Sequence, residues 1–138
     1  MREIEFRGKR INYFQPKEPP KWIYGPAHCT ESLALMFVKE YNIWTDVERE
    51  TVGQYIGLKD DNGVKIYEGD VVDVVPILGI HFRGVVKFNS HTCAFDVFRE
   101  ERGDSACLKD DFSVEVIGNI FDNPELDKQF GEVYRSKE

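Results

Sequence analysis

The sequence predicts a mainly β protein, and three observations carry that prediction. Short runs of β-branched and aromatic residues recur along the chain, and Gly, Asn, Asp or Pro residues separate them. The 138 residues include ten Phe, six Tyr and two Trp, which favour strands over helices. A chain of this length with 41% hydrophobic residues can bury a core without metal or disulfide crosslinks.

Residues 1–52 are predicted to form an amino-terminal subdomain of an extended arm and a β-hairpin. The alternating segment at 3–7 is typical of a strand. Three prolines follow within residues 12–22, and they favour an extended or edge segment because they lack a backbone donor and have a fixed φ. These prolines are Pro16, Pro19 and Pro20.

Residues 22–41 allow two interpretations. Thr30 can cap a helix, with Glu31 in its first turn. Alternatively, residues 30–32 form a turn between strands Trp22–Cys29 and Leu33–Tyr41. An apolar run of six residues does not distinguish the two by periodicity, but the flanking aromatic residues favour the hairpin.

Residues 53–122 are predicted to form a small SH3-like β-barrel, because strands of similar length follow one another at regular spacing. The turn at Asn62-Gly63 is typical of a tight hairpin, since both residues accept the positive φ that such a turn requires. The predicted strands are 52–58, 64–67, 71–75, 84–89, 93–100 and 114–120.

The frequent Gly, Asp and Asn residues of segment 53–75 predict structural turns rather than a ligand loop. Glycines are expected where the chain reverses, and aspartates are expected to accept hydrogen bonds from nearby backbone amides. The predicted turn residues are Gly57, Asp60, Asn62, Gly63, Gly69 and Asp70.

Residues 123–138 are predicted to form a short carboxy-terminal helix and tail. Asp122 and Asn123 are typical caps, Pro124 suits the first helical position, and Glu125 is an early acid.

The net charge of −7 is unevenly distributed along the chain. Residues 1–30 carry six Lys or Arg and three Asp or Glu, which is +3, whereas residues 31–138 carry twelve and twenty-two, which is −10. Because phosphate binding needs clustered cations, the body of the protein is expected to bind nucleic acid poorly. Three cations near the amino terminus leave a nucleic-acid-binding arm open as an alternative, namely Arg7, Lys9 and Arg10.

The cysteine and acid spacings predict no metal and no cofactor. The three cysteines are an odd number without a C-x-x-C pair, which indicates a reducing compartment. Residues 60–68 partly match a calcium loop, but Leu58 and Gly69 stand where acidic ligands are needed. A zinc site would need the cysteines and histidines to meet without finger-like spacing, namely His28, Cys29, His91, Cys93 and Cys107.

No nucleophile or phosphate-binding motif is present, so the chain is not expected to be an enzyme. Four aromatic residues could serve as a base-stacking platform, but inward-facing strand residues are the simpler interpretation. These are Phe82, Phe88, Phe95 and Phe98. The Arg-Gly-Asp tripeptide at 102–104 is interpreted as a turn.

Two long motifs resemble those of the YopX family of phage and prophage proteins. The first is ETVGQYIGLKDDNGVKIYEGDVV (50–72), and the second is VIGNIFDNPEL (116–126). The start MREIEFRGKR and KWIYG (21–25) fit the same order. The resemblance implies a largely β fold and carriage by phages or prophages, and it supports the hairpin at 22–41.

The leading functional hypothesis is a non-catalytic, homo-oligomeric interaction module that binds an unidentified host or phage protein in the host bacterial cytoplasm. No membrane span is expected, because no apolar run approaches about 18 residues. Nucleic-acid binding, or mimicry of DNA by the acidic body, is the alternative. The candidate interface residues are Trp22, Phe37, Tyr41 and Trp44.

Overall fold

The computed structural model describes residues 3–12, 21–99, 105–108 and 112–136. Within them the chain is mainly β, with one α-helix near the carboxy terminus, as predicted. The elements are β1 (Phe6–Lys9), β2 (Trp22–Gly25), β3 (Ala27–Cys29), β4 (Ala34–Val38), β5 (Ile43–Asp46), a 3₁₀ turn (Arg49–Thr51), β6 (Gly53–Lys59), β7 (Lys65–Tyr67), β8 (Asp70–Val75), β9 (Phe82–Asn89), β10 (Ala94–Phe98), β11 (Ser105–Cys107), β12 (Ser113–Asn119) and α1 (Pro124–Arg135). The three prolines of the predicted arm and the turn at 102–104 lie outside the described residues.

The strands form three open sheets, with the orders β2-β1-β6-β7, β3-β4-β5 and β11-β10-β9-β8-β12. The predicted SH3-like barrel is therefore not confirmed, because none of these sheets closes on itself among the described residues. The chain divides into two compact units, Met1–Tyr55 and Ile56–Glu138, and strand β6 runs through the boundary.

The first unit has a small core made by two alternate residues of β4 and one residue just after β5. Ala34, Met36 and Val47 are buried there. Gly8 of β1 leaves room for this core, because a Cβ atom at that position would lie 2.8 Å from the Met36 sulfur. The close approach of β1 thus depends on the missing side chain.

The hairpin interpretation of residues 22–41 is correct, with one change. Strand β3 pairs with β4, and the Thr30 hydroxyl accepts a hydrogen bond from the Leu33 amide at 3.1 Å, so Thr30 closes a turn and caps no helix. The single predicted strand Trp22–Cys29 divides into β2 and β3, which belong to different sheets. The division falls at Gly25, with φ 145°, and at Pro26, which has no backbone donor.

The second unit is built on the five-stranded sheet, whose valine-rich strands are buried on both faces. Val72, Val86 and Val97 belong to a cluster on one face. Their neighbours Val71 and Val85 belong to a second cluster, which also contains apolar residues of α1. Successive strand residues point to opposite faces, so continuous apolar runs are expected where both faces are covered.

Helix α1 begins at Pro124, as the sequence predicted, and runs to Arg135. Its residues Leu126 and Phe130 are buried against the sheet. The Lys87 ammonium of β9 donates hydrogen bonds to the carbonyls of Val133 and Ser136, at 3.2 and 2.7 Å. A cation at this end satisfies carbonyls that lack a helical partner and interacts favourably with the helix dipole.

Strands β5 and β11 were not predicted. Both are short, at four and three residues, and neither shows an alternating apolar pattern in the sequence. They are held by pairing with β4 and β10, respectively, which is information that only the tertiary structure supplies.

Candidate functional site

The predicted turn residues of the second unit lie in a hydrogen-bonded framework. Gly63 has φ 82° and Gly69 has φ 89°, and each follows a turn residue. The Asp60 carboxylate accepts the Asn62 and Val64 amides at 2.9 and 2.8 Å, which is the side-chain turn expected of aspartate. These hydrogen bonds fix the backbone of the turn between β6 and β7.

Gly57 differs from its prediction. It lies inside strand β6 rather than at a reversal of the chain, although its φ is 92°. A positive φ inside a strand is a conformation that glycine adopts at low cost. The residue therefore shapes the path of the strand and does not turn it.

The Asp60-Asp61 pair also reaches strand β12, at one edge of the five-stranded sheet. The Asp60 carboxylate accepts the Val116 amide at 3.0 Å. The Asp61 amide donates to the Val114 carbonyl at 2.9 Å, and the Asp61 carboxylate accepts from the Ser113 hydroxyl. The turn thus occupies donors and acceptors that an edge strand would otherwise offer to another chain.

Asp70 and Gly69 connect this framework to the second motif. The buried Asp70 carboxylate accepts the Tyr67 amide at 2.8 Å. Gly69 donates to the Val86 carbonyl at 2.9 Å and accepts from the Ile120 amide at 3.1 Å. Both long motifs of the sequence therefore meet at one backbone position.

Asn119 and Asn123 organise the second motif itself. The Asn119 side-chain oxygen accepts the amides of Phe121 and Asp122, at 2.9 and 2.8 Å. The Asn123 oxygen accepts the Asn119 amide at 3.1 Å. A Cβ at Gly118 would lie 2.5 Å from that oxygen, which accounts for the glycine.

The residues considered for metal binding are not brought together. Within the described residues no group of three His, Cys, Asp or Glu side chains is placed to hold a metal ion. Asp60, the central residue of the partial calcium loop, directs its carboxylate at backbone donors. The cysteines are exposed thiols, and the Cys107 sulfur donates to the buried Asp96 carboxylate at 3.3 Å.

The four phenylalanines do not form one exposed platform. Phe98 is buried in the cluster under α1, and Phe82 and Phe95 pack against the other cluster. Phe88 is 43% exposed and meets Phe95 edge to face, with ring centroids 5.5 Å apart. The inward-facing interpretation describes three of the four.

The four candidate interface residues divide into two pairs within the first unit. Phe37 and Trp44 are cross-strand partners on β4 and β5, with ring centroids 5.4 Å apart in an edge-on arrangement. Leu35 shares their side of the sheet because it lies two residues from Phe37. We call Leu35, Phe37 and Trp44 the aromatic face.

Trp22 and Tyr41 line a cleft of about 450 Å³ in the first unit, which we call the basic cleft. Its lining combines three aromatic rings with three cations and one carboxylate. The lining residues are Arg10, Lys21, Trp22, Ile23, Tyr24, Val38, Lys39, Glu40 and Tyr41. Tyr24 and Tyr41 are 52% and 73% exposed.

The predicted basic arm is a strand in part. Arg7 and Lys9 belong to β1, and the two residues face the same side as Tyr24 and Trp22, their partners in β2. The Arg7 guanidinium lies 4.5 Å from the centre of the Trp22 ring, and the Lys9 ammonium lies 5.5 Å from it. Arg7 is only 6% exposed. It supports Trp22 and is covered from solvent.

Sequence reasoning did not identify the basic cleft. The local signal was present, because a lysine lies within two residues of an aromatic residue in both KWIY (21–24) and KEY (39–41). What the sequence did not show is that the start of β2 and the turn after β4 line one depression. That placement depends on the register of strands distant in sequence.

Comparison with known proteins gives one family match. The family model described as YopX protein matches residues 21–127. No curated protein matches the chain. Among the described residues, no helix has the length and apolar character needed to cross a membrane.

Proposed function

Because the chain belongs to the YopX family, we propose that it is a non-catalytic accessory protein of a phage or prophage, and that it acts by binding other protein chains in the host cytoplasm. The observation that carries this proposal is the aromatic face of the first unit. A second copy of the chain is the proposed first occupant of that face, and an unidentified host or phage protein is the proposed target of the assembly.

The exposure of the aromatic face supports this proposal. Trp44 is 49% exposed although it is one of the largest apolar side chains in the protein. Leu33, two residues before Leu35, is 48% exposed. Clustered exposed apolar side chains mark interaction surfaces more often than scattered ones do, and tryptophan is enriched at their energetic centres.

A symmetric pairing of two copies would cover the face on both partners at once. Closed two-fold symmetry is the commonest arrangement of soluble homo-oligomers. The charge distribution is compatible with it, because residues 1–55 carry eight Lys or Arg and eight Asp or Glu, a net charge of zero. The three residues of the face are uncharged, and Asp46, the cross-strand partner of Leu35, places one carboxylate on the same side of the sheet.

Light scattering after size exclusion tests the proposal. The wild-type protein is expected to have a mass that is a multiple of 16.0 kDa. Trp44→Glu, which places a charge on the aromatic face, is expected to give the monomer mass. A loss of about 2 kcal/mol or more of association energy is usual at such a position.

Phe88→Glu is the matched control. Phe88 belongs to an edge-on aromatic pair of nearly the same geometry, but in the second unit. This variant is expected to keep the wild-type mass. A wild-type monomer at micromolar concentration, with no dependence on loading, would contradict the proposal, and so would equal dissociation by both variants.

A further inference from the structure

We propose that the basic cleft binds single-stranded nucleic acid, with one base stacked on its aromatic residues and the neighbouring phosphates beside its cations. This function is separate from the proposed protein interaction and does not depend on it. It rests on charge, ring placement and volume in the first unit.

The charge of the cleft is opposite to that of the protein. Arg10, Lys21 and Lys39 line it against one carboxylate, Glu40, which leaves two net positive charges in a chain of net charge −7. Among the described residues none of these three cations forms an ion pair. Cations gathered in one concave place, in an acidic protein, favour an anionic ligand.

The aromatic lining restricts which anion fits. Trp22 is supported by Arg7 and Lys9 over its ring, and Tyr24 and Tyr41 are exposed at the cleft. A third cation over Trp22 would be repelled by these two, whereas a neutral base would not. Rings together with cations match nucleotides, which carry a flat π face and a phosphate in every repeat.

An acidic peptide would contact the cations and would make no stacking contact with the aromatic rings. Duplex DNA would offer phosphates, but its bases are stacked within the helix and do not present their faces. A volume of about 450 Å³ lies within the range of ligand pockets, roughly 300–1,000 Å³. Two of the lining residues, Tyr24 and Tyr41, are exposed to solvent. This exposure suits a nucleic-acid strand that continues beyond the cleft.

Fluorescence anisotropy with a labelled oligothymidylate strand tests the proposal on the full chain. Three phosphate contacts predict that log K falls with log salt at a slope of about −2, so binding weakens about twentyfold between about 50 and about 200 mM salt. Tyr41→Ala is expected to weaken binding about tenfold through lost stacking, with an unchanged salt slope. Lys39→Gln is expected to reduce the slope by about 0.7.

Two control variants keep the result specific. Lys128→Gln removes an exposed cation from α1 in the second unit and is expected to change neither affinity nor slope. Trp44→Glu alters the aromatic face and is expected to leave strand binding intact, so the failure of one proposal does not imply the failure of the other. Far-ultraviolet circular dichroism of each variant verifies that it is folded.

Three outcomes would overturn the proposal. The first is no measurable binding at low salt. The second is displacement by polyglutamate as efficient as by unlabelled strand, which would show an acidic-peptide site. The third is displacement by free thymidine monophosphate at equal concentration, which would show a mononucleotide site.

Discussion

The two units of this protein use their polar and aromatic side chains in opposite ways. In the second unit, aspartates and asparagines such as Asp60 and Asn119 direct their oxygens at the backbone of the same unit. In the first unit, Tyr41 and Trp44 are exposed, at 73% and 49%. The residues that look most like a site in the sequence build the scaffold, and the proposed binding surfaces lie outside the two long motifs.

This difference explains why residues 53–75 resemble a ligand loop. Folding and ligand binding both use Asp, Asn and Gly at tight turns, because carboxylate oxygens accept from amides as readily as they coordinate cations. In this protein the carboxylate oxygens of the turn already accept hydrogen bonds from backbone amides. Asp60 alone accepts three amides, from Asn62, Val64 and Val116.

The largest effect is expected from Gly69→Ala. Gly69 has φ 89°, and a Cβ there would lie 2.6 Å from the Phe121 ring. Left-handed strain of about 1–2 kcal/mol and overpacking of about 1–3 kcal/mol predict a loss near 3 kcal/mol in the free energy of unfolding. Urea unfolding followed by far-ultraviolet circular dichroism measures it.

Gly63→Ala is the control for that variant. Gly63 has nearly the same φ, 82°, but nothing lies within 4 Å of the added Cβ. Its cost is therefore the backbone strain alone, about 1 kcal/mol. Equal losses for the two variants would show that the contact with Phe121 relaxes without cost.

A somewhat smaller loss is expected from Asp60→Ala. The substitution leaves three backbone amides without their acceptor, and each buried donor left unsatisfied costs about 1–3 kcal/mol. Part of this is recovered where water reaches the turn, so we expect about 2–3 kcal/mol by urea unfolding. Asp61→Ala is the control, because Asp61 is exposed and its carboxylate contacts only the edge of β12.

Asp60→Ala and Asp61→Ala also test whether the turn protects the β12 edge of the five-stranded sheet. Both weaken the cover over β12, so both are expected to increase aggregation on prolonged incubation, as static light scattering would show. A destabilised Asp60→Ala protein that stays as dispersed as the wild type would mean that the turn stabilises the fold without protecting the edge.

The sequence predicted most of the second unit because its signals are local. Alternating or continuous apolar runs, Asn62-Gly63 and Pro124 each specify structure over a few residues. In contrast, the hydrogen bond from the Val116 amide to the Asp60 carboxylate joins residues 56 positions apart. No local pattern encodes such a contact, and the same limit applies to barrel closure.

The first unit was harder to predict for a related reason. Its strands are three to five residues long, apart from the part of β6 that it contains. The pairing of Arg7 with Tyr24 and the contact of Arg7 with Trp22 follow from the register of β1 against β2. Without that register, the sequence presents Arg7 only as one more cation of a basic arm. The residues that line the basic cleft cannot then be recognised as neighbours.

The smallest effect on stability is expected from Tyr41→Ala, the variant for which we expect about tenfold weaker binding of single-stranded nucleic acid. Tyr41 is 73% exposed, and its amide, which donates to the Val38 carbonyl at 3.2 Å, is kept in the variant. Substitutions of exposed residues away from caps and buried networks usually change the free energy of unfolding by less than about 0.5 kcal/mol. Both tryptophans lie in the first unit, so urea unfolding followed by tryptophan fluorescence reports on the unit that carries the substitution. A loss above about 1.5 kcal/mol, typical of a buried side chain, would place Tyr41 in the scaffold and remove the distinction between the two units.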